Sequence, residues 1–176
     1  MFRLQYRALM VREIPASIDC RRLAVAGEPL EGALAATGFS RLDGAFRIIG
    51  NPAVSVGVRE DEEHKLILKG IFTAPMGAEC QRCLTPFSLS LHGEFEVVLV
   101  ASESEAEQID DSAVAPNGQL NLLALIEDEI LLACPMIALH ENETCHASER
   151  SEEPAADRQK PFAHLGDMLR KASRKE

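Results

Sequence analysis

The sequence predicts an α+β fold in which an antiparallel β-sheet carries a C-x-x-C loop and packs against one helix in the C-terminal half. Three observations support this prediction. Segments in the middle of the chain alternate apolar and polar residues, a Leu- and Glu-rich segment follows them, and 46% hydrophobic content in 176 residues is enough for one core. A partly closed barrel is the structural alternative.

The strand predictions rest on alternation. Residues 53–59, 64–74 and 89–100 alternate apolar and polar side chains, which is typical of antiparallel strands with one solvated face. The acidic residues 60–63 predict a hairpin turn between the first two strands. Upstream the periodicity is mixed, and Leu30, Ala33 and Leu34 indicate a short helix after a turn at Pro29.

Residues 102–119 are polar and acidic and end in Pro-Asn-Gly, which predicts a flexible loop. The next segment, residues 120–134, is rich in Leu, Glu and Ala, and it predicts a helix that stops at Pro135.

A helical wheel of this segment places Glu127 and Asp128 away from the apolar face and Glu129 near its centre. A buried carboxylate is costly unless it is paired. We therefore expect Arg82, in the C-x-x-C turn, to approach Glu129.

The domain organisation follows composition. Residues 1–148 are predicted to form a single α+β domain, and residues 149–176 a charged linker followed by a short basic helix or tail. The sequence has neither a signal-peptide pattern nor an apolar stretch long enough for a membrane span, so we expect a cytoplasmic protein.

Charge is unevenly distributed along the chain. The net charge is −10, and residues 100–153 contain 13 acidic residues and one basic residue, whereas both ends are modestly basic. This balance argues against a domain that holds nucleic acid mainly by neutralising phosphates, but RNA contact by the basic positions stays open. The candidate RNA-binding residues are Arg21, Arg22, Arg82, Arg170, Lys171, Arg174 and Lys175.

Five cysteines, an odd and sparse set, do not indicate a secreted disulfide scaffold. Cys80 and Cys83 have the spacing of a metal knuckle, and His140 and Cys145 supply two further ligand types 57 and 62 residues after Cys83. Together these four would form a Cys3His site of the kind that structural zinc prefers. The alternatives are reduced thiols at a turn beside a surface histidine, or a redox dithiol, which the strand context disfavours.

The remaining residues of these types have ordinary interpretations. Cys20 and Cys134 are expected in the core, and the isolated His64, His92, His146 and His164 at the surface. Gly-rich phosphate loops, G-x-S-x-G and H-E-x-x-H are absent from the sequence, and the H-x-E at His92 follows the C-x-x-C, the wrong order for a zinc deaminase. We therefore predict no enzymatic activity and no small-molecule substrate.

Three blocks carry a family resemblance: E-C-Q-R-C-L-T-P-F at residues 79–87, I-E-D-E-I-L-L-A-C-P at residues 126–135, and His140 through Cys145. In these blocks the chain resembles the YceD family, the bacterial large ribosomal RNA subunit accumulation proteins. Of the family's metal-type positions, Cys80, Cys83 and Cys145 match, and His140 stands where some relatives have cysteine.

The resemblance implies a cytoplasmic, non-enzymatic factor needed for synthesis, processing or stability of 23S rRNA, with a metal-binding site. Its implied partners are 23S rRNA or a pre-50S particle and, from the usual gene neighbourhood, ribosomal protein L32. Two mechanisms stay open at this point. In the first, the chain binds RNA, ribosomal protein or both. In the second, it is an acidic chaperone or assembly scaffold for a basic protein such as L32 and makes no contact with RNA. The acidic centre of the chain favours the second mechanism. The sequence lacks the paired carboxylates and histidines that a metal-dependent nuclease would need.

Overall fold

The computed structural model describes residues 12–42, 44–140 and 145. The chain divides into two units, Met1–Cys145 and His146–Glu176, and every described residue belongs to the first. The predicted linker and basic C-terminal segment, with Arg170, Lys171, Arg174 and Lys175, lie outside the described residues.

The described residues form eight strands and three α-helices, which confirms the α+β prediction. In chain order these are β1 (Ser17–Asp19), α1 (Cys20–Ala26), β2 (Leu30–Ala33), β3 (Phe46–Ile48), β4 (Ala53–Glu60), β5 (Leu66–Glu79), β6 (Pro86–Val100), α2 (Glu103–Ala106), β7 (Ser112–Val114), β8 (Gln119–Asn121) and α3 (Leu122–Ala133). Two short 3-10 turns occupy Ala36–Gly38 and Pro116–Gly118.

Six strands form the main sheet, in the order β2-β4-β5-β6-β7, with β3 paired to the end of β5 that β4 does not reach. The pairs are antiparallel except β6–β7, and β1 and β8 form a separate two-stranded sheet. Among the described strands the main sheet stays open, since β2 and β7 end it, so these strands do not form the alternative barrel.

The three strands predicted in the middle of the chain are confirmed, and each is longer than predicted, β4 by one residue. β5 runs five residues past the predicted Ala74, and β6 begins three residues before the predicted Leu89. The predicted hairpin turn is also present: the Asp61 carboxylate accepts the backbone N–H of Glu63 at 2.9 Å and of Lys65 at 2.7 Å. An acidic residue at the start of the turn therefore fixes it by a local side-chain hydrogen bond.

The core lies between one face of the main sheet and the helices. Alternate residues of β4 and β5 point inward, and α1 packs against these two strands. Helix α3 packs mainly against β6 and buries Leu122, Ile126 and Ile130 in the same core. In the β5–β6 pair, Gly70 lies opposite Phe95, and Phe72 lies opposite Gly93. Each phenyl ring covers the glycine across from it, and a Cβ atom at either glycine would overlap that ring.

Helix α3 begins two residues later than predicted, because residues 119–121 pair with β1. The Asn121 side chain caps it by accepting the Ala124 N–H at 3.1 Å, and the helix ends before Pro135 as predicted. The wheel was wrong about Glu127, which is only 4% exposed.

Arg41 explains this buried carboxylate. Its backbone N–H donates to Glu127 Oε1 at 2.6 Å, its Nε donates to Glu127 Oε2 at 2.9 Å, and its Nη1 donates to Asp128 at 2.5 Å. The wheel missed this arrangement because the cation comes from a loop 86 residues earlier in the chain. Glu129 is half-buried and has no ion pair among the described residues. The predicted Arg82–Glu129 pair is therefore wrong.

Two further predictions are wrong. Residues Leu30–Ala33 are a strand paired with β4 rather than a helix, because Leu30 and Ala33 complete the sheet edge. The helix of this region is α1, which Asp19 caps by accepting the Arg22 N–H at 3.0 Å and which Gly27 ends at φ 69°.

The segment predicted as a loop over residues 102–119 contains α2, β7 and a 3-10 turn. β7 forms because Val98–Val100 offers it a parallel edge, and Ala115 is buried in the core. No helix in the described part of the chain is long and apolar enough to cross a membrane.

Candidate metal centre

The C-x-x-C segment forms the turn between the two longest strands, β5 and β6. The Cys80 N–H donates to the Thr85 carbonyl at 3.0 Å, and the Leu84 N–H donates to the Cys80 carbonyl at 2.8 Å. Leu84 adopts a left-handed backbone conformation at φ 58°, which lets the chain reverse there. The tight turn places both cysteine side chains at one end of the sheet.

The segment after α3 returns to this turn. The Gln81 N–H donates to the Ala138 carbonyl at 2.9 Å, and the His140 ring lies 4.7 Å from the Phe87 ring, centroid to centroid. These contacts bring residues 138–140 against the C-x-x-C turn, a proximity that the sequence spacing alone left open.

The four predicted ligands meet at this point. Cys80 Sγ lies 3.3 Å from Cys145 Sγ, and His140 Nδ1 lies 3.4 Å from Cys83 Sγ and 3.3 Å from Cys145 Sγ. All four donor atoms lie within 4.8 Å of one another. Cys80 and Cys145 are buried, and Cys83 and His140 are partly buried.

The surroundings of the cluster favour one thiolate. Burial alone raises the pKa of Cys80, but hydrogen bonds from the backbone of Cys83, His140 and Arg82 and from the Cys145 thiol together lower it to about 5. Burial raises the pKa of Cys145 to about 11, and its hydrogen bonds to Cys80 and Cys83 and their negative charge act in the same direction. These surroundings therefore favour the thiolate form at Cys80 and disfavour it at Cys145.

The donor set fits a metal ion. Three sulfurs and one imidazole nitrogen are the ligand types of closed Cys3His sites, and bond lengths of about 2.1–2.3 Å to zinc require ligands roughly 3.5–4 Å apart. The separations in the cluster need only small side-chain movements to meet that requirement. The four residues could thus hold one metal ion, with no open position left for a substrate.

Of the other predicted site residues, the structure describes Arg21, Arg22 and Arg82. Arg82 is exposed in the C-x-x-C turn and its Nη1 donates to the Cys145 carbonyl at 3.2 Å, which helps to hold that ligand. Arg21 and Arg22 are exposed neighbours on α1.

The cysteines predicted in the core and the histidines predicted at the surface lie as predicted where the structure describes them. Cys20 is fully buried in the core and Cys134 packs against it, while His64 and His92 are exposed. His146 and His164 lie outside the described residues.

Sequence reasoning missed Arg41 as the partner of Glu127. No local pattern gives that pairing, because Arg41 lies in an irregular segment between β2 and β3. The one signal available was that the E-D-E block places three consecutive carboxylates on a helix that is otherwise apolar.

Comparison with known proteins identifies relatives of the chain. The family model described as "Large ribosomal RNA subunit accumulation protein YceD" matches residues 68–169. A protein of Haemophilus influenzae with that same description is 26% identical over 170 residues, an alignment that covers 90% of this chain and 98% of the relative. No solved structure matches the chain significantly. Because the family model spans more than half of the chain, including the C-x-x-C turn, α3 and the His140–Cys145 segment, the chain belongs to the YceD family.

Proposed function

We propose that this chain is a cytoplasmic ribosome-biogenesis factor required for accumulation of large-subunit rRNA, 23S rRNA in bacteria, and that it acts by binding rather than by catalysis. Family membership over residues 68–169 is the observation that carries this proposal. The donor set agrees with it, because four protein ligands leave a metal ion without the open position that zinc hydrolases use.

The four clustered residues are proposed to hold one structural zinc ion. Such an ion would tie the β5–β6 turn to the segment after α3, two regions that are 57 to 65 residues apart in sequence. A structural zinc site contributes directly to folding free energy, since the ligands come together only in the folded chain.

Contact with the assembling subunit is proposed to involve 23S rRNA, ribosomal protein or both. Exposed Arg21, Arg22 and Arg82 support contact with RNA phosphates. Residues 100–140, all described, include eight acidic residues and no basic one, which supports a basic protein partner such as L32.

Deletion of the gene in its native host, followed by complementation, tests the proposed function. Deletion should lower the ratio of 23S to 16S rRNA, and the wild-type chain and Cys134→Ser should restore it, since Cys134 is not one of the four clustered residues. Cys80→Ser should restore it poorly. An unchanged ratio in the deletion strain would overturn the proposal.

Two measurements on the purified protein separate the finer proposals. Elemental analysis should find about one zinc per chain in wild type and in Cys134→Ser, and none in Cys80→Ser. If the wild-type protein contains no metal and chelator leaves its melting temperature unchanged, a structural zinc is contradicted. Pulldown with 23S fragments and with L32 over a range of salt concentrations distinguishes the partners. Tight RNA binding without any protein partner rejects the chaperone alternative.

A further inference from the structure

One edge of the main sheet is open beside the metal cluster. β6 pairs with β5 along its whole length, but on its other side it pairs only with β7, at Val98–Val100. Between residues 86 and 97 no described segment pairs with that side. By contrast, the β2 edge is covered, since the Ala33 N–H donates to the Arg12 carbonyl and the Ile14 N–H donates to the Ala33 carbonyl. An open strand edge is a template for pairing with another extended chain.

The backbone groups of Ser88 and Ser90 face this open side. The Val98 N–H points there, because it donates to the Asp111 carbonyl at 2.9 Å in the connection to β7. Backbone groups alternate sides along a strand, and the β5–β6 register is continuous, so residues an even number of positions from Val98 point the same way.

Pro75 gives an independent confirmation for Ser90. It lies opposite Ser90 on β5 and has no N–H to donate. Its carbonyl points away from β6, because it accepts the Ile49 N–H at 3.1 Å. The backbone N–H and C=O of Ser90 are therefore not used by β5 and are available to a new strand.

A groove of about 670 Å³ runs along this edge. β6 supplies Phe87, Leu89 and Leu91, and the segment after α3 supplies the opposite wall, which consists of Ala133, Pro135, Ile137, Leu139 and His140. Two residues next to the wall in sequence are also apolar and exposed, Met136 at 99% and Leu132 at 79%. Exposed apolar surface on this scale is typical of interaction sites.

The charge near the groove is negative. Glu129 lies one helical turn before the groove residue Ala133 on α3, and it is half-buried without a cationic partner among the described residues. Burial raises the pKa of Glu129, and the charges of Asp128 and Asp111 raise it further. A cation placed beside Glu129 would thus meet a carboxylate that has no ion pair among the described residues.

We propose that the groove binds an extended segment of a basic partner protein, which adds to the open edge of β6 as a further strand. Main-chain hydrogen bonds to Ser88 and Ser90 would hold the segment, and its alternate apolar side chains would cover Leu89 and the apolar wall. A lysine or arginine of the segment would pair with Glu129. Strand addition of this kind takes affinity from the backbone and specificity from alternate side chains. The inference rests on the proposed contact with a basic protein partner and specifies where and how such a partner would bind.

Peptide binding to the full-length protein tests this proposal without depending on any rRNA phenotype. The probe is a capped heptapeptide that alternates valine with lysine or arginine, and its affinity is measured by calorimetry. One matched control is a peptide with glutamate at the cationic positions. The other two are N-methylated on alternate amides, so that one peptide has lost the N–H groups along one of its edges and the second has lost those along the other edge. We expect binding of the parent peptide and at least tenfold weaker binding of the acidic peptide and of one N-methylated peptide.

Protein variants locate the site. Ser90→Pro removes the edge N–H, should reduce affinity at least tenfold, and is compared with Ser90→Ala, which keeps that N–H and should bind as wild type. Glu129→Gln should weaken binding about five- to tenfold. The peptide controls keep the proposal falsifiable if Ser90→Pro does not fold.

Three results would overturn the proposal. One is equal affinity for the parent peptide and both N-methylated peptides, which excludes strand addition. Another is equal affinity for basic and acidic peptides, which excludes the role of Glu129. The third is a wild-type protein that forms dimers in ultracentrifugation and a Ser90→Pro variant that does not, which assigns the edge to a second copy of the chain.

Discussion

Replacement of Glu127 by alanine should destabilise the protein by about 2–4 kcal/mol. The carboxylate is only 4% exposed and accepts the Arg41 backbone N–H at 2.6 Å and the Arg41 Nε at 2.9 Å. Loss of the carboxylate leaves that N–H without its acceptor, which costs about 1–3 kcal/mol. The loss of a buried methylene and carboxyl group adds about 1 kcal/mol, whereas solvent screens the half-exposed guanidinium.

Urea unfolding followed by circular dichroism, at fixed metal concentration, measures this change. The matched control is Asp128→Ala, which removes the neighbouring carboxylate of the same arginine but from an exposed position, and which should change stability by no more than about 0.5 kcal/mol. For a chain of this size the Glu127→Ala cost corresponds to a fall in Tm of roughly 5–12 °C. If both variants unfold within about 0.5 kcal/mol of wild type, burial of Glu127 does not anchor α3 to the Arg41 segment.

Two other outcomes follow from the core. Gly93→Ala should lower the free energy of unfolding by about 1–3 kcal/mol, because the new Cβ overlaps the Phe72 ring. In a Phe72→Leu background the same substitution should cost at least about 0.5 kcal/mol less. If urea unfolding shows that the effects of the two substitutions simply add, the contact is contradicted. Cys20 should contribute stability that is complete below pH 9 and lost as pH rises toward 11, because burial first and then Asp19 raise the pKa of its thiol to about 11. Urea unfolding from pH 8 to 11 should thus show a steeper loss for wild type than for Cys20→Ala, and parallel curves contradict this.

The strands of the sheet were predictable because their patterns are local. Residues 53–59 alternate and become β4 with one further residue, and the apolar helix segment stops at Pro135 as its sequence indicates. The elements that sequence missed are short and depend on partners. β7 has three residues and exists because β6 offers it a parallel edge, and Leu30–Ala33 becomes a strand because β4 lies beside it.

In the candidate site, too, the features set by local sequence were predictable and those set by distant residues were not. The C-x-x-C spacing predicted two ligands, and the His140–Cys145 segment two more, because ligand spacing is a local property. Which carboxylate of the E-D-E block is buried was not predictable, since Glu127 is buried beside Arg41, and Arg41 comes from a loop 86 residues earlier in the chain. The open edge of β6 was also invisible in the sequence, because a strand's pattern does not reveal how many neighbours it has.

The metal cluster and the groove share a wall, and this links the two proposals. Ala138 accepts the Gln81 N–H, and His140 lies against Phe87, so the segment from Pro135 to His140 is attached to the C-x-x-C turn at its far end. If zinc holds His140, removal of the ion frees this end of the segment, and the groove loses its fixed shape. Chelator should therefore weaken binding of the basic heptapeptide in wild type at least as strongly as Glu129→Gln does. Equal peptide affinity with and without chelator, in a protein shown to contain zinc, would mean that the groove wall is held by its own packing and not by the ion.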